Sequence, residues 1–200
     1  YSQTKQMPRD ESEEKFIEFA YEVLDRKGFL FVPSFSVERS QEIACVLKNA
    51  KFKHKVIMDG MAVKVNEILL HYPEYLRDPK VFADSIHQAI WIRGEKERKK
   101  ALNEPCVIIS PAGMLVGGTA VYYLQQLALD RKNGIAMVSY QGEGTPGRKL
   151  LETGRVNIHG RDAKAQAEVR QFEFSGHADR NDLFEIISKI KGNPKILTVH

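Results

Sequence analysis

The chain has 200 residues, 42% of them hydrophobic and 28% charged, with a formal net charge of +4 and an isoelectric point near 9.0. That length buries one sizeable core, and no apolar run approaches the roughly 20 residues that a membrane span needs, which excludes a membrane protein. The positive balance permits a polyanionic partner without demonstrating one.

The N-terminal stretch, residues 1–14, reads as a polar arm without the basic start and apolar run of a secretory signal, which places the chain in the cytoplasm. Cys45 and Cys106 are the two cysteines, each within an apolar segment, so they read as reduced core thiols. Any metal would then be held by histidine and carboxylate.

Asp10 and Glu13 read as a capping box ahead of an amphipathic helix from Glu11 to Arg26, stopped by Gly28. Phe29 to Val32 is a short apolar run closed by Pro33, as expected of a strand buried on both faces. Helical spacing returns over Val37 to Asn49, and Val56 to Met58 forms the next strand. A helix over Met61 to His71 is followed by an irregular stretch marked by Pro73 and Pro79, a strand at Ala89 to Ile92 and a short charged helix from Glu95 to Leu102.

Cys106 to Ile109 reads as a strand, Gly118 to Leu129 as a helix and Ile135 to Val138 as another strand. A glycine-rich loop over Gln141 to Gly147 leads into a short helix at Arg148 to Leu151. Arg155 to Ile158 and Ala165 to Phe174 alternate in polarity and predict a half-exposed antiparallel pair. A helix from Arg180 to Lys191 and a strand from Lys195 to Val199 end the chain. Short buried strands alternating with amphipathic helices predict a three-layer α/β/α fold, an open and mostly parallel sheet of Rossmann or flavodoxin type with an antiparallel edge.

In such sheets function gathers at the carboxyl ends of the strands. The last strand–helix–strand unit would carry His177 and His200, 23 residues apart, to one rim of the sheet, a candidate two-imidazole site. Gly176 allows close backbone approach, and Asp179 can cap the following helix, whose first amides would favour an anion. The competing reading is a polar loop before an ordinary cap.

The string Phe174-Ser175-Gly176-His177-Ala178-Asp179 and the later Leu197-Thr198-Val199-His200 resemble two signature motifs of the β-CASP nucleases. That family, within the metallo-β-lactamase superfamily, includes the cleavage and polyadenylation endonuclease and RNase J relatives. Further matches, in the family's order, are Pro33 to Glu42, Ser110 to Met114 and Tyr140 to Arg148. The resemblance covers residues 15–200, taken as one β-CASP domain.

The resemblance implies a zinc-dependent ribonuclease in mRNA processing or decay, with two zinc ions in the complete enzyme and RNA as substrate. His177 would assist at the scissile phosphate, and His200 would complete the second zinc site, as in the RNA-cleaving branch. The superfamily's His-x-His-x-Asp-His cluster does not occur among the six histidines, so a lactamase-like domain of the parent chain would supply the other ligands. The chain then reads as an excised domain, inactive alone, that forms one wall of the RNA cleft, and an oligomeric parent stays open. The metals would activate a hydroxide toward phosphorus.

Candidate RNA- or phosphate-binding residues are Arg39, Ser110, Gly142, Gly144, Thr145 and Arg148. Arg39 with Glu42 also reads as an ion pair one helical turn apart, and the Gly142 to Gly147 loop as a tight turn before a helix. The basic run from Arg93 to Lys100 reads as a solvated helix face. Rival functions are a non-catalytic RNA-processing subunit and a generic nucleotide-binding module. The second lacks a phosphate-binding glycine motif after the first strand.

Overall fold

The structure is a computed structural model that describes residues 6–197. The first helix, α1 (Arg9–Asp25), buries Phe16, Phe19, Ala20, Val23 and Leu24, one stripe at the three- and four-residue spacing of a helix face. Each large side chain of that stripe contributes about 1.5–3 kcal/mol by leaving water. The helix begins earlier than its sequence predicts, after Pro8 and without a side-chain cap. Asp10 and Glu13 therefore lie inside the first turns, and Glu13 accepts from Arg9 Nε at 2.6 Å instead of forming the expected box.

At the other end Gly28 permits a close approach. A Cβ there would lie 1.7 Å from the Lys132 carbonyl oxygen.

The chain continues through β1 (Leu30–Pro33), α2 (Arg39–Asn49), β2 (Val56–Asp59), α3 (Met61–His71), α4 (Pro79–Gln88) and β3 (Ile90–Ile92). It goes on with α5 (Glu95–Ala101), β4 (Val107–Ser110), α6 (Gly118–Leu127), β5 (Gly134–Met137) and α7 (Pro146–Thr153). The last elements described are β6 (Arg155–Ile158), β7 (Arg161–Lys164), β8 (Glu168–Gln171) and α8 (Arg180–Ser188). Helix α4 occupies the stretch that its prolines mark as irregular: Pro79 stands at the first helical position, and the Asp78 side chain accepts from Val81 N at 2.9 Å.

Six strands form one sheet in the order β3-β2-β4-β1-β5-β8, and every neighbouring pair in it is parallel. The three-layer α/β fold expected from the sequence is present. Side chains alternate across the central strands: Leu30, Val32, Val107, Ile109 and Ala136 face the core under α1 to α4. Phe31, Ile108, Ile135 and Met137 face the core under α5, α6 and α7. Strands buried on both faces are therefore apolar throughout, which explains their continuous runs.

The antiparallel pairing differs from the expectation. Arg155–Ile158 pairs with Arg161–Lys164 in a separate two-stranded hairpin, while β8 runs parallel beside β5 at the sheet edge. The reason is the two-residue turn at His159 and Gly160, both at positive φ, which folds the chain back before β8 begins. Residues 195–197 form no strand, and the remainder of the expected last strand, with His200, lies outside the described residues.

Candidate functional site

Because the six strands are parallel, their carboxyl ends share one rim. At the end of β1 the chain turns into α2 through Ser34 to Glu38. The turn is tied down by Ser34 Oγ with Ser40 Oγ at 2.8 Å and by Ser40 Oγ donating to the Phe35 carbonyl at 2.7 Å. This sets Arg39 in the first turn of α2.

Glu42, one turn later, accepts from Arg39 Nη1 and pairs through its other oxygen with Arg9 Nη2 at 2.6 Å. The ion-pair reading of Arg39 and Glu42 is therefore realised, with Arg9 as a third member. Burial depresses the Arg39 pKa, aided by the nearby Arg9 charge and opposed by Glu42. For Arg9, burial pulls the same way but is outweighed by Glu13 and Glu42, so its pKa is raised.

Beyond β8, Phe172 and Phe174 are buried and pack edge-on against Phe16, with centroids at 5.6 and 5.7 Å. The Arg9 and Arg39 guanidinium groups lie 4.6 and 5.8 Å from the Phe174 ring centroid. These anchors fix the segment that follows, Ser175-Gly176-His177. His177 is exposed, and its backbone N–H donates to Ser175 Oγ at 3.1 Å. The backbone N–H of Met7 donates to Glu173 at 2.8 Å and that of Gln6 to Asp179 at 3.1 Å, so the N-terminal segment runs along this loop.

Asp179 caps α8 as expected, in a reciprocal capping box with Asp182 at 3.0 and 3.1 Å. These two carboxylates occupy the end of the helix, where the sequence reading expects its amides to favour a phosphate. Arg9 and Arg39 bring positive charge to this rim.

Two adjoining clefts open here. One, of about 960 Å³, is lined by Phe35, Arg39, Ser139, Tyr140, Phe174 and His177 among others. The second, of about 680 Å³, lies between the N-terminal segment and α8 and shares His177 with the first. Ser139 is buried, and its hydroxyl and Arg39 Nε have no hydrogen-bond partner among the described residues. Sequence reasoning missed Arg9 and Ser139, and it named Phe174 only as part of a motif. Arg9 falls in the supposed polar arm, and only the fold brings it to Glu42.

The structure thus brings Arg39 and His177 to one cleft, which none of the other described candidates lines. Ser110 is fully buried, and its hydroxyl donates to Thr119 Oγ1 at 2.6 Å. In the glycine-rich loop, Thr145 Oγ1 donates to the Gly142 carbonyl at 2.7 Å and accepts from Arg148 N at 3.3 Å as the cap of α7. Gly144 adopts a left-handed φ of 74°. Gly144 and Thr145 line a different cleft, of about 310 Å³, with Leu115 and Leu124. Arg148 is exposed and paired with Glu152. His200 lies outside the described residues.

Among the described residues no three histidine, cysteine, aspartate or glutamate side chains converge as a metal site. His177 is a single imidazole beside carboxylates committed to backbone amides. Among the same residues no helix is long and apolar enough to cross a membrane.

A family model described as the Beta-Casp domain matches residues 40–150, more than half of the chain. A second, described as the Zn-dependent metallo-hydrolase RNA specificity domain, matches residues 162–200. The chain is 39% identical over 192 residues to RNase aCSPSF2 of Saccharolobus solfataricus, covering 96% of this chain and 39% of that protein. It is 36% identical over 217 residues to transcription termination factor FttA of Pyrococcus abyssi, covering 98% of this chain and 34% of the relative. Against the probable RNase MJ4 of Methanocaldococcus jannaschii the identity is 34% over 188 residues, covering 92% and 44%. The chain spans less than half the length of each of these relatives. The chain belongs to the β-CASP family of RNA-processing nucleases in the metallo-β-lactamase superfamily.

Proposed function

We propose that this chain forms one wall of the RNA cleft in a metal-dependent ribonuclease, with His177 presented to the scissile phosphate and Arg39 to the RNA backbone. The observation that carries this reading is the shared cleft of Arg39 and His177 at the carboxyl rim of a parallel sheet, where ligands of open α/β folds bind.

The chemistry of the lining suits RNA. The partly exposed Arg39 guanidinium, which lines the cleft, offers positive charge to phosphate, and the exposed ring of Tyr140 offers a base a stacking surface. An imidazole such as that of His177 can hydrogen-bond a phosphoryl oxygen or protonate a leaving oxygen. Zinc belongs to this proposal through the family. The donors among the described residues do not fit a metal site, so the metal's ligands would come from a lactamase-like domain of the parent, and this chain's part is to bind and orient RNA. His200 is proposed as a further metal ligand on the resemblance alone. The two free thiols support a reducing compartment, the cytoplasm. The Pyrococcus relative's name supports a second setting for the same cleavage, the ending of transcripts.

The test is photocrosslinking of 4-thiouridine-substituted RNA to the intact protein, followed by peptide mapping. Crosslinks in the peptides around Tyr140 and His177 are expected. Crosslinks confined to the opposite, amino-terminal rim would remove the reading.

A further inference from the structure

A second cluster lies at the far edge of the sheet, on β3. Trp91 packs partly against the core under α1 to α4, and its indole N–H donates to the Ile86 carbonyl at 2.8 Å, which fixes the ring on the end of α4. The exposed His87 ring lies nearly parallel to it, at 19° with centroids 6.5 Å apart, the wide end of the range for aromatic pairs. Arg93 stands 5.5 Å from the same indole and is paired with Glu67 at 2.6 Å. With Leu70, His71 and Ala89 these side chains line a cleft of about 400 Å³, within the size range of small-ligand sites.

We infer that the Trp91–His87–Arg93 cleft binds a base of single-stranded RNA by stacking, at a distance from His177. A fixed indole beside a parallel imidazole and a guanidinium is the surface that takes nucleobases without regard to sequence, because every base has a π face. Arg93 directly follows the carboxyl end of β3, whereas His87 and Ala89 precede that strand, so the cleft runs along the outer edge of the sheet with Arg93 nearest the rim that carries His177. Five strand spacings separate β3 from β8, about 24 Å at the usual 4.8 Å. An RNA strand that follows the rim to Arg93 and turns along β3 would reach both. The Glu67 carboxylate offsets much of the Arg93 charge, which favours base contact over phosphate contact here.

This inference rests on the RNA reading above, and one titration separates the two. Trp91 is the chain's only tryptophan, so its fluorescence reports on this cleft alone. A labelled oligouridylate is titrated into the full chain while label anisotropy and Trp91 emission are both followed. Saturable quenching of Trp91 is expected, absent with an abasic oligomer of equal charge, and His87→Ala should weaken binding about tenfold. Because His87 is exposed, that variant is expected to keep its circular dichroism and melting temperature.

RNA binding by anisotropy with unchanged Trp91 emission overturns this inference and leaves the RNA reading standing. Equal quenching by the abasic oligomer overturns it too, since stacking would not be the cause. No binding by anisotropy overturns both. If the chain instead self-associates in sedimentation, and His87→Ala abolishes that association without affecting RNA binding, the cleft is a protein contact and the inference fails.

Discussion

Arg39, in the first turn of α2, and His177, in the loop after β8, line the same cleft at the carboxyl rim of the sheet. They arrive by different routes: Arg39 through the hydrogen-bonded turn after β1, His177 through the anchoring of Phe172 and Phe174 against α1. If RNA lies in this cleft, removal of the guanidinium deletes one phosphate contact. Arg39→Gln in the intact protein is expected to weaken RNA binding several-fold and to lower the slope of log affinity against log salt by about 0.7. A salt titration that leaves the slope unchanged would remove Arg39 from the interface.

Below the same rim, Asp59 is buried at 1% exposure, and it accepts from Arg98 Nη2 at 2.9 Å, Tyr123 Oη at 2.8 Å and Gly60 N at 2.6 Å. Arg98→Met leaves that carboxylate without its counter-charge, a loss of about 3 kcal/mol. For a chain of this size the melting temperature should fall by about 6–12 °C. A shift of a degree or less would mean that Tyr123 and Gly60 suffice.

Gly28 and Gly94 make a matched pair. A Cβ on Gly28 would meet the Lys132 carbonyl at 1.7 Å, whereas one on Gly94 meets nothing within 4 Å. Gly28→Ala should cost about 3 kcal/mol, at the top of the overpacking range, and Gly94→Ala close to nothing. Equal denaturation midpoints for the two variants would contradict the packing of the α1–β1 turn against the turn before β5.

Burial pushes the Cys106 thiol up from 9.0 to about 12. The folded chain therefore keeps a proton that the unfolded chain releases, so this stabilisation is complete below pH 9 and is lost as pH rises towards 12. The slope is at most about 1.4 kcal/mol per pH unit. Urea midpoints should decline across that window, less steeply in Cys106→Ala. At neutral pH a thiol reagent should reach Cys106 only after unfolding, and fast labelling in the native state would show that the core opens.

Much of this architecture is legible in the residues. The runs Leu30–Pro33 and Val107–Ser110 are apolar throughout because both sheet faces are covered, and the helix at Met61–His71 has the bounds its periodicity predicts. Helix α4 is hidden because Pro79 serves as a helix starter, which a breaker rule misreads. The pairing of β8 with β5 instead of the hairpin is a tertiary choice that alternation alone does not encode.

For the site, His177 and Arg39 are visible as motif residues. Their joint cleft depends on contacts between distant segments, such as Arg9 with Glu42, and such contacts leave no local pattern. Ser110 misleads for a related reason. It follows a buried strand, and its hydroxyl is spent on Thr119.

The most direct measurement is the cleavage rate of His177→Ala in the intact protein on a single-stranded RNA, with metal content and melting temperature taken on the same preparation. A loss of at least about 100-fold with metal and fold unchanged is predicted for a group acting at the scissile phosphate. Cleavage at the parental rate would contradict the placement of His177 in the reaction.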